Sequence, residues 1–192
     1  MLHEERDRVS TNDPAAAKET LVMEHLVTLH YREPLTANLN RYADGLLEGR
    51  IIGAKCPSCG RVYVPSKGYC PMCVVPTTEA DEVEVPDTGT LTGFTIITPV
   101  NYYGQTKTEP FVYASVLLDG ADTTIGGQDI TGVEHSDLRM GLRVKAKWKP
   151  REERSVDSMS NRGWGGFGDV VESFEATGES DVGEEVYKEH IF

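Results

Sequence analysis

The four cysteines of the chain lie in one stretch, CPSCGRVYVPSKGYCPMC, running from Cys56 to Cys73. They form two Cys-Pro-x-Cys pairs, Cys56 with Cys59 and Cys70 with Cys73. A Cys-x-x-Cys turn presents two thiolates to one side of an ion. A second such turn completes a tetrahedral shell of soft donors at about 2.3 Å. The spacing therefore predicts one structural Zn²⁺ held by Cys56, Cys59, Cys70 and Cys73. Iron is the main rival, because it takes the same ligand set in a rubredoxin-like site. Redox disulfide chemistry explains two matched pairs less well than a single ion does. Four protein ligands close the shell and leave no position for water, so such a metal braces the chain instead of catalysing a reaction.

The residues around the cysteines refine this expectation. Gly60 follows the first pair and permits the positive φ that turns backbone N–H groups toward sulfur. Val74 stands at the matching place after the second pair, which predicts a less regular turn there. Between the pairs, RVYVPSKGY is expected to form a short hairpin, with Tyr63 and Tyr69 shielding the metal. Four thiolates on one Zn²⁺ leave net negative charge, which Lys55, Arg61 and Lys67 are placed to offset.

The rest of the chain offers no comparable set. It has no Gly-x-Ser-x-Gly elbow, no phosphate loop and no dinucleotide fingerprint. The histidines are His3, His25, His30, His135 and His190; His25 and His30 have no carboxylate or cysteine at ligand spacing, His135 makes no triad with Ser136 and Asp137 by adjacency alone, and all five read as surface residues. Nothing in these residues marks the chain as an enzyme by itself. One further pattern stands out in LRVKAKWK. Leu142, Val144, Ala146 and Trp148 alternate with Arg143, Lys145, Lys147 and Lys149, as in a strand with one buried face. The basic face is either a solvated barrel exterior or a local cationic strip. As a strip, Arg143, Lys145 and Lys147 would suit a compact polyanion such as the phosphates of coenzyme A, or an acidic patch on a partner. The aromatic pairs Tyr102–Tyr103 and Phe111/Tyr113 read as core, or as cover for an adenine ring.

Composition sets the frame for these groups. The chain has 192 residues, 19 glycines, 10 prolines and a formal net charge of -12, which suits one or two small, turn-rich domains. So acidic a surface repels a nucleic-acid backbone. The polar start, MLHEERDRVSTNDPAAAKET, lacks an apolar signal core, and no apolar run approaches a membrane span. A cytoplasmic location is the expectation.

Along the chain, residues 1–34 read as an N-terminal helical or extended arm, with TLVMEHLVTLHYR its apolar part. Residues 35–80 read as a helix plus the cysteine segment. The helix rests on Leu35, Leu39, Tyr42 and Leu46, with Gly45 weakening its last turn and Gly49 as its stop. From Gly89 the period changes to two. TLTGFTIITPV, FVYASVLLDG, DTTIGGQ, LRVKAKWKP and DVVESFEATG read as five strands, for which an OB-fold barrel over 81–178 is the expected arrangement. Residues 151–168, long and Gly-rich, read as an insertion ordered by a partner, and 179–192 as an acidic, solvated tail. The fold class is mainly β.

The order of these parts resembles a known family. LLEGRIIGAKCPSCGRVYVPSKGYCPMC, then GTLTGFTIITPV, EPFVYASVLLDG and LRMGLRVKAKWK are similar to the zinc-ribbon/OB-fold proteins that accompany thiolases and related acyl-CoA enzymes. The resemblance covers about residues 35–150. It implies a rubredoxin-like zinc ribbon followed by an OB-fold. It further implies a non-catalytic subunit of an acyl-CoA-processing complex, which stabilises a thiolase-like or aldolase-like partner in a hetero-oligomer. The coenzyme A ester is then a ligand shared with that partner. A subunit of a steroid side-chain aldolase or of an acyl-condensing synthase fits the same likeness. The alternative of another class is a nucleic-acid-binding zinc-ribbon/OB-fold protein, which the net charge opposes.

Overall fold

A computed structural model describes residues 34–98, 108–156 and 170–190, with the single positions 23, 25 and 27. Most of the expected arm 1–34, the Tyr102–Tyr103 pair and residues 157–168 of the expected insertion lie outside the described residues, as do His3 and His30.

Helix α1 spans Ala37–Glu48 and buries Tyr42, Ala43, Gly45 and Leu46, the face set by the helical spacing of apolar residues. Its end is built as the glycine predicts. Gly49 takes φ 86°, its N–H donates to the Leu46 carbonyl at 3.0 Å, and the Arg50 N–H donates to the Gly45 carbonyl at 2.8 Å. These two bonds are a Schellman motif, which satisfies carbonyls that a helix end otherwise leaves open. Gly45 has a different role from the expected weakness. A Cβ there would lie 2.8 Å from Ile52 Cγ1 and 3.2 Å from the Arg50 carbonyl. The glycine lets the helix close onto the strand that follows it.

That strand, β1 (Ile51–Lys55), pairs antiparallel with β2 (Val62–Tyr63) on one side and β5 (Glu82–Val85) on the other. A separate two-stranded ladder joins β3 (Tyr69–Cys70) to β4 (Val75–Pro76). The expected hairpin across RVYVPSKGY is therefore corrected. Its two halves pair with different neighbours, because each cysteine turn makes its own hairpin with the strand beside it. Arg41 of α1 holds Glu82 of β5 through both carboxylate oxygens, at 2.9 and 3.0 Å from Nε.

The remaining strands make one sheet. They are β6 (Thr88–Ile97), β7 (Phe111–Leu118), β8 (Thr124–Gln128), β9 (Ile130–Thr131), β10 (Arg143–Trp148) and β11 (Val171–Ala176), in the order β8-β7-β6-β10-β11-β9. The five expected strands are all present. The sixth, β9, lies beyond the end of the third expected strand, which stops at Gln128, and Asp129 separates the two. β8 pairs antiparallel with β7, and β9 pairs parallel with β11. One residue thus separates the two ends of the sheet order, so the sheet must curl. Asp129 holds both ends, its carboxylate accepting from the Val112 N–H at 3.2 Å and its carbonyl from the Phe174 N–H at 2.8 Å. Leu91, Val116, Val144 and Phe174 fill the interior, and Tyr42, Leu46 and Ile51 from the helix and β1 belong to the same apolar cluster.

Two segments expected to be loose are tied down. Residues 151–156 do not form a free loop. The Arg154 guanidinium donates from Nη1 to the Leu47 carbonyl at 3.0 Å and from Nε to the Lys149 carbonyl at 2.9 Å, and lies 5.3 Å from the Trp148 ring centre. A cation at a helix C-terminus offsets its partial negative charge. Much of the acidic tail also returns to the barrel. Asp181 pairs with Arg139, and the Val182 N–H donates to the Gly141 carbonyl at 3.0 Å, before the short helix α2 (Glu184–Tyr187). No described helix is long and apolar enough to cross a membrane.

Candidate metal centre

The two cysteine turns bring their sulfurs together. The Sγ atoms of Cys56, Cys59, Cys70 and Cys73 lie within 4.8 Å of one another, and Cys59 and Cys70 are 3.8 Å apart. Ligands about 2.3 Å from a central ion at tetrahedral angles stand about 3.8 Å apart. The donor set therefore fits a zinc ion in spacing and in chemistry. Cys56 and Cys70 are buried, while Cys59 is exposed. Each leading cysteine carries the backbone donors that a metal-bound thiolate requires. Ser58 and Cys59 N–H groups each reach Cys56 Sγ at 3.4 Å, and the Cys73 N–H reaches Cys70 Sγ at 3.4 Å.

The turns are equivalent, which corrects the expectation of an irregular second one. The Gly60 N–H donates to the Cys56 carbonyl at 2.9 Å, and the Val74 N–H donates to the Cys70 carbonyl at 2.8 Å. Gly60 has φ 76° and Val74 has φ 56°. A β-branched residue in this left-handed region is strained by about 1–2 kcal/mol, since its Cβ crowds the following carbonyl. The metal turn overrides the preference of the side chain.

Tyr63 and Tyr69 divide the shielding role unequally. Tyr63 is buried and its hydroxyl lies 3.4 Å from Cys70 Sγ. That bond to Cys70, followed by burial, pushes the phenol up to about 12. Tyr69 is 49% exposed and faces outward. Burial opposes the Cys70 thiolate, but the Tyr63 hydroxyl and the N–H groups of Cys73 and Met72 outweigh it, holding the thiol down to about 6. The Arg61 N–H favours the Cys59 thiolate, yet burial and the neighbouring Cys73, Cys56 and Cys70 sulfurs push that thiol up to about 11. The neighbouring sulfurs thus oppose ionisation of Cys59, and a divalent cation at the centre of the four removes that conflict.

The ribbon of cysteine turns is fastened to the barrel by a seam that the sequence did not reveal. Val62 and Asp122 exchange two bonds, Val62 N–H to Asp122 Oδ2 and Asp122 N–H to the Val62 carbonyl, both 2.8 Å. One step on, Thr123 Oγ1 accepts from the Val64 N–H at 3.0 Å and donates to the Val64 carbonyl at 3.2 Å. Asp122 and Thr123 stand 59 or 60 residues from these partners, and no local pattern connects them.

The strand β10 alternates as expected, with Val144 and Ala146 buried, and Leu142 buried just before it. Its cationic face is divided. Arg143, whose side chain is 15% exposed, sets Nη1 and Nη2 at 2.7 and 2.6 Å from the two carboxylate oxygens of Asp119, and Nε at 3.5 Å from Glu179. Lys147 reaches Glu172 at 3.3 Å and Glu175 at 3.6 Å. Lys145 is exposed and has no carboxylate partner among the described residues. Arg143 and Lys147 are thus engaged in holding strands and tail together.

Residues 43–79 match the family model described as ChsH2, rubredoxin-like zinc ribbon domain, and residues 82–149 match that described as ChsH2, C-terminal OB-fold domain. A DUF35 domain-containing scaffold protein of Methanocaldococcus jannaschii is 30% identical over 117 residues, covering 59% of this chain and 78% of the relative. Among solved structures, a chain of the Ltp2–ChsH2(DUF35) aldolase aligns with a TM-score of 0.51 at 17% identity, over 76% of this chain and 98% of the other. A DUF35-family protein of unknown function from Sulfolobus solfataricus aligns with a TM-score of 0.47 at 25% identity, over 57% of this chain and 77% of the other.

Proposed function

Since the chain belongs to the DUF35 family of ChsH2-type zinc-ribbon and OB-fold proteins, we propose that it is the zinc-holding, non-catalytic subunit of a cytoplasmic hetero-complex, seated on an enzyme that processes an acyl-CoA. The partner is a thiolase or a lipid-transfer-type thiolase/aldolase, which supplies the nucleophile and bases. The observation that carries this reading is the seam of four hydrogen bonds from Val62 and Val64 to Asp122 and Thr123. A closed four-sulfur centre offers no open coordination position for chemistry. Joined to the barrel by that seam, it makes the ribbon and barrel one stiff body. A stiff body with preset contacts loses little entropy when it docks, which is what a scaffold subunit needs. The name of the solved Ltp2–ChsH2(DUF35) aldolase supports pairing with an enzyme subunit.

Arg143, Lys145 and Lys147 are proposed as the side of the barrel nearest the coenzyme A phosphates. Lys145 is the cation of that face left to meet a phosphate, with Lys147 able to contribute if it leaves Glu172 and Glu175. The test is co-expression of this chain with a thiolase- or aldolase-like subunit of the same organism. The reading expects a complex of fixed ratio, and an enzyme subunit that loses stability or acyl-CoA turnover when this chain is withheld. An enzyme subunit fully stable and active alone, with no complex, would sink it. K145E in the same assay should raise the KM for the CoA ester, and an unchanged KM would remove that face from the site.

A further inference from the structure

Cations in this chain mostly hold carboxylates. Arg41, Arg50, Arg139 and Arg143 pair with Glu82, Glu48, Asp181 and Asp119. Arg61 and Lys67 make no ion pair among the described residues, although the chain has 31 aspartates and glutamates. Both line one hollow of about 440 Å³ where the ribbon meets the barrel. Thr123 and Thr124 line it from the barrel, and Glu189 and His190 from the tail. The two cations stand on fixed backbone. The Arg61 carbonyl accepts from the Cys56 N–H at 2.7 Å, within the first cysteine turn. The loop at Lys67 is held by Asn38 Nδ2, which donates to the Ser66 carbonyl at 2.6 Å, and by the Thr77 N–H, which donates to the Gly68 carbonyl at 3.0 Å. A fixed base spares part of the ordering cost of binding.

We propose that this hollow binds a compact phosphoryl anion, with Arg61 and Lys67 as its counter-charges and the Thr124 hydroxyl as a further donor. A guanidinium presents parallel N–H donors that match phosphate oxygens, and an ammonium adds a second point charge. The hollow also holds two carboxylates, and these set what it accepts. Asp122 already takes the Val62 N–H on Oδ2. Glu189, exposed on the tail, shares the hollow but pairs with neither cation. The chain thus brings a carboxylate of its own to this place without filling it. A dianion small enough for the hollow can meet both cations at once, which a single carboxylate on the tail does not. Glu189 is then a competitor that weakens the site. The hollow shares no residue with Arg143, Lys145 and Lys147 of β10, and it lies wholly within this chain.

The experiment titrates inorganic phosphate into the zinc-loaded full chain at constant ionic strength, so that screening does not change with the ligand. Amide shifts report where it binds. Saturable shifts are expected at Arg61, Lys67, Thr123 and Thr124, with a millimolar Kd. R61Q and K67M, both at exposed positions, should keep the wild-type zinc content and each weaken phosphate about fivefold, the loss of one charge-assisted contact. E189Q should tighten it about threefold by removing the competitor. K145E should bind phosphate as the wild type does. Absence of saturable shifts at those four amides overturns the site, as does a wild-type Kd in both R61Q and K67M. A Kd that rises in K145E and not in K67M moves the anion to β10 and overturns it too. Weaker binding in E189Q overturns the competition assigned to the tail.

Discussion

Val62 and Asp122 are bonded to each other twice, through the main chain of one and both the carboxylate and the main chain of the other, each bond 2.8 Å long. Strand β2 of the ribbon is thereby held against the loop that opens β8. D122A removes the carboxylate arm and leaves the main-chain bond. The expected loss is about 0.5–1.5 kcal/mol, the range for one net hydrogen bond. Amide exchange should accelerate across 61–64 with zinc content unchanged. Unaltered exchange there would mean that ribbon and barrel are not braced by this pair.

Metal content and the role of Tyr63 can be tested together. The purified chain is expected to hold one zinc, and C70S should abolish binding. Y63F removes the hydroxyl 3.4 Å from Cys70 Sγ. It should retain zinc yet release it to a chelator about tenfold faster, as for other partners that orient metal ligands from outside the shell. Stripping the metal should expose the amides of 56–76, while the barrel amides around Leu91, Val116 and Phe174 keep their protection. Equal loss in both regions would show that the barrel depends on the ion.

Asp119 carries a pH dependence of known sign. Hydrogen bonding to Arg143, helped by Thr88 and opposed by burial, holds its carboxyl below the usual carboxylate range. The folded pKa lies below the unfolded one, so the pair's contribution is present above about pH 4 and is lost as pH falls through the lower folded value. D119N should therefore cost about 1–2 kcal/mol near pH 7, a figure reduced for the partial exposure of the carboxylate. It should also flatten the acid limb of stability, followed by exchange at β7 and β10 so that metal loss does not intrude. A parallel, undiminished acid limb would exclude Asp119 as its source.

Gly45 gives a prediction opposite to helix propensity. Alanine in place of glycine within a helix ordinarily stabilises by about 1 kcal/mol. In α1 the new methyl would stand 2.8 Å from Ile52 Cγ1 and 3.2 Å from the Arg50 carbonyl. G45A should therefore lower the urea midpoint, by about 1–2 kcal/mol in net stability, since overpacking must shift β1 or the helix. A raised midpoint would show that α1 and β1 are not in close approach.

These cases mark how far the sequence could be read. Cys56 to Cys73 was legible because metal-turn spacing is local, and α1 because Tyr42, Leu46 and Gly49 stand at helical intervals. The alternation of Leu142, Val144 and Ala146 gave the buried face of β10 for the same reason. What sat opposite Arg143 was not legible, because Asp119 and Glu179 arrive from a turn after β7 and from the tail. Tyr63 and Tyr69 looked alike until pairing sent one to β1 and the other to β4. Gly45 read as a weak point because its neighbour Ile52 is reached through the turn at Gly49. Val74 reads as an irregular turn because a β-branched residue disfavours positive φ, a preference that the geometry imposed by four sulfurs overrides.

Asp129 also sets an order of events for a chain made from its N-terminus. The four cysteines lie between residues 56 and 73, so that site can take its ion while most of the barrel is still being synthesised. The other end of the sheet waits. Among the described residues, strand β9 pairs with β11, at Val171–Ala176. Until the ribosome releases that strand, the Asp129 carbonyl has no Phe174 N–H to accept, and the row of backbone groups beside it stays open. A nascent chain stalled before residue 171 should thus be metallated and yet prone to sticking at this edge, a vulnerability that ends only when β11 emerges.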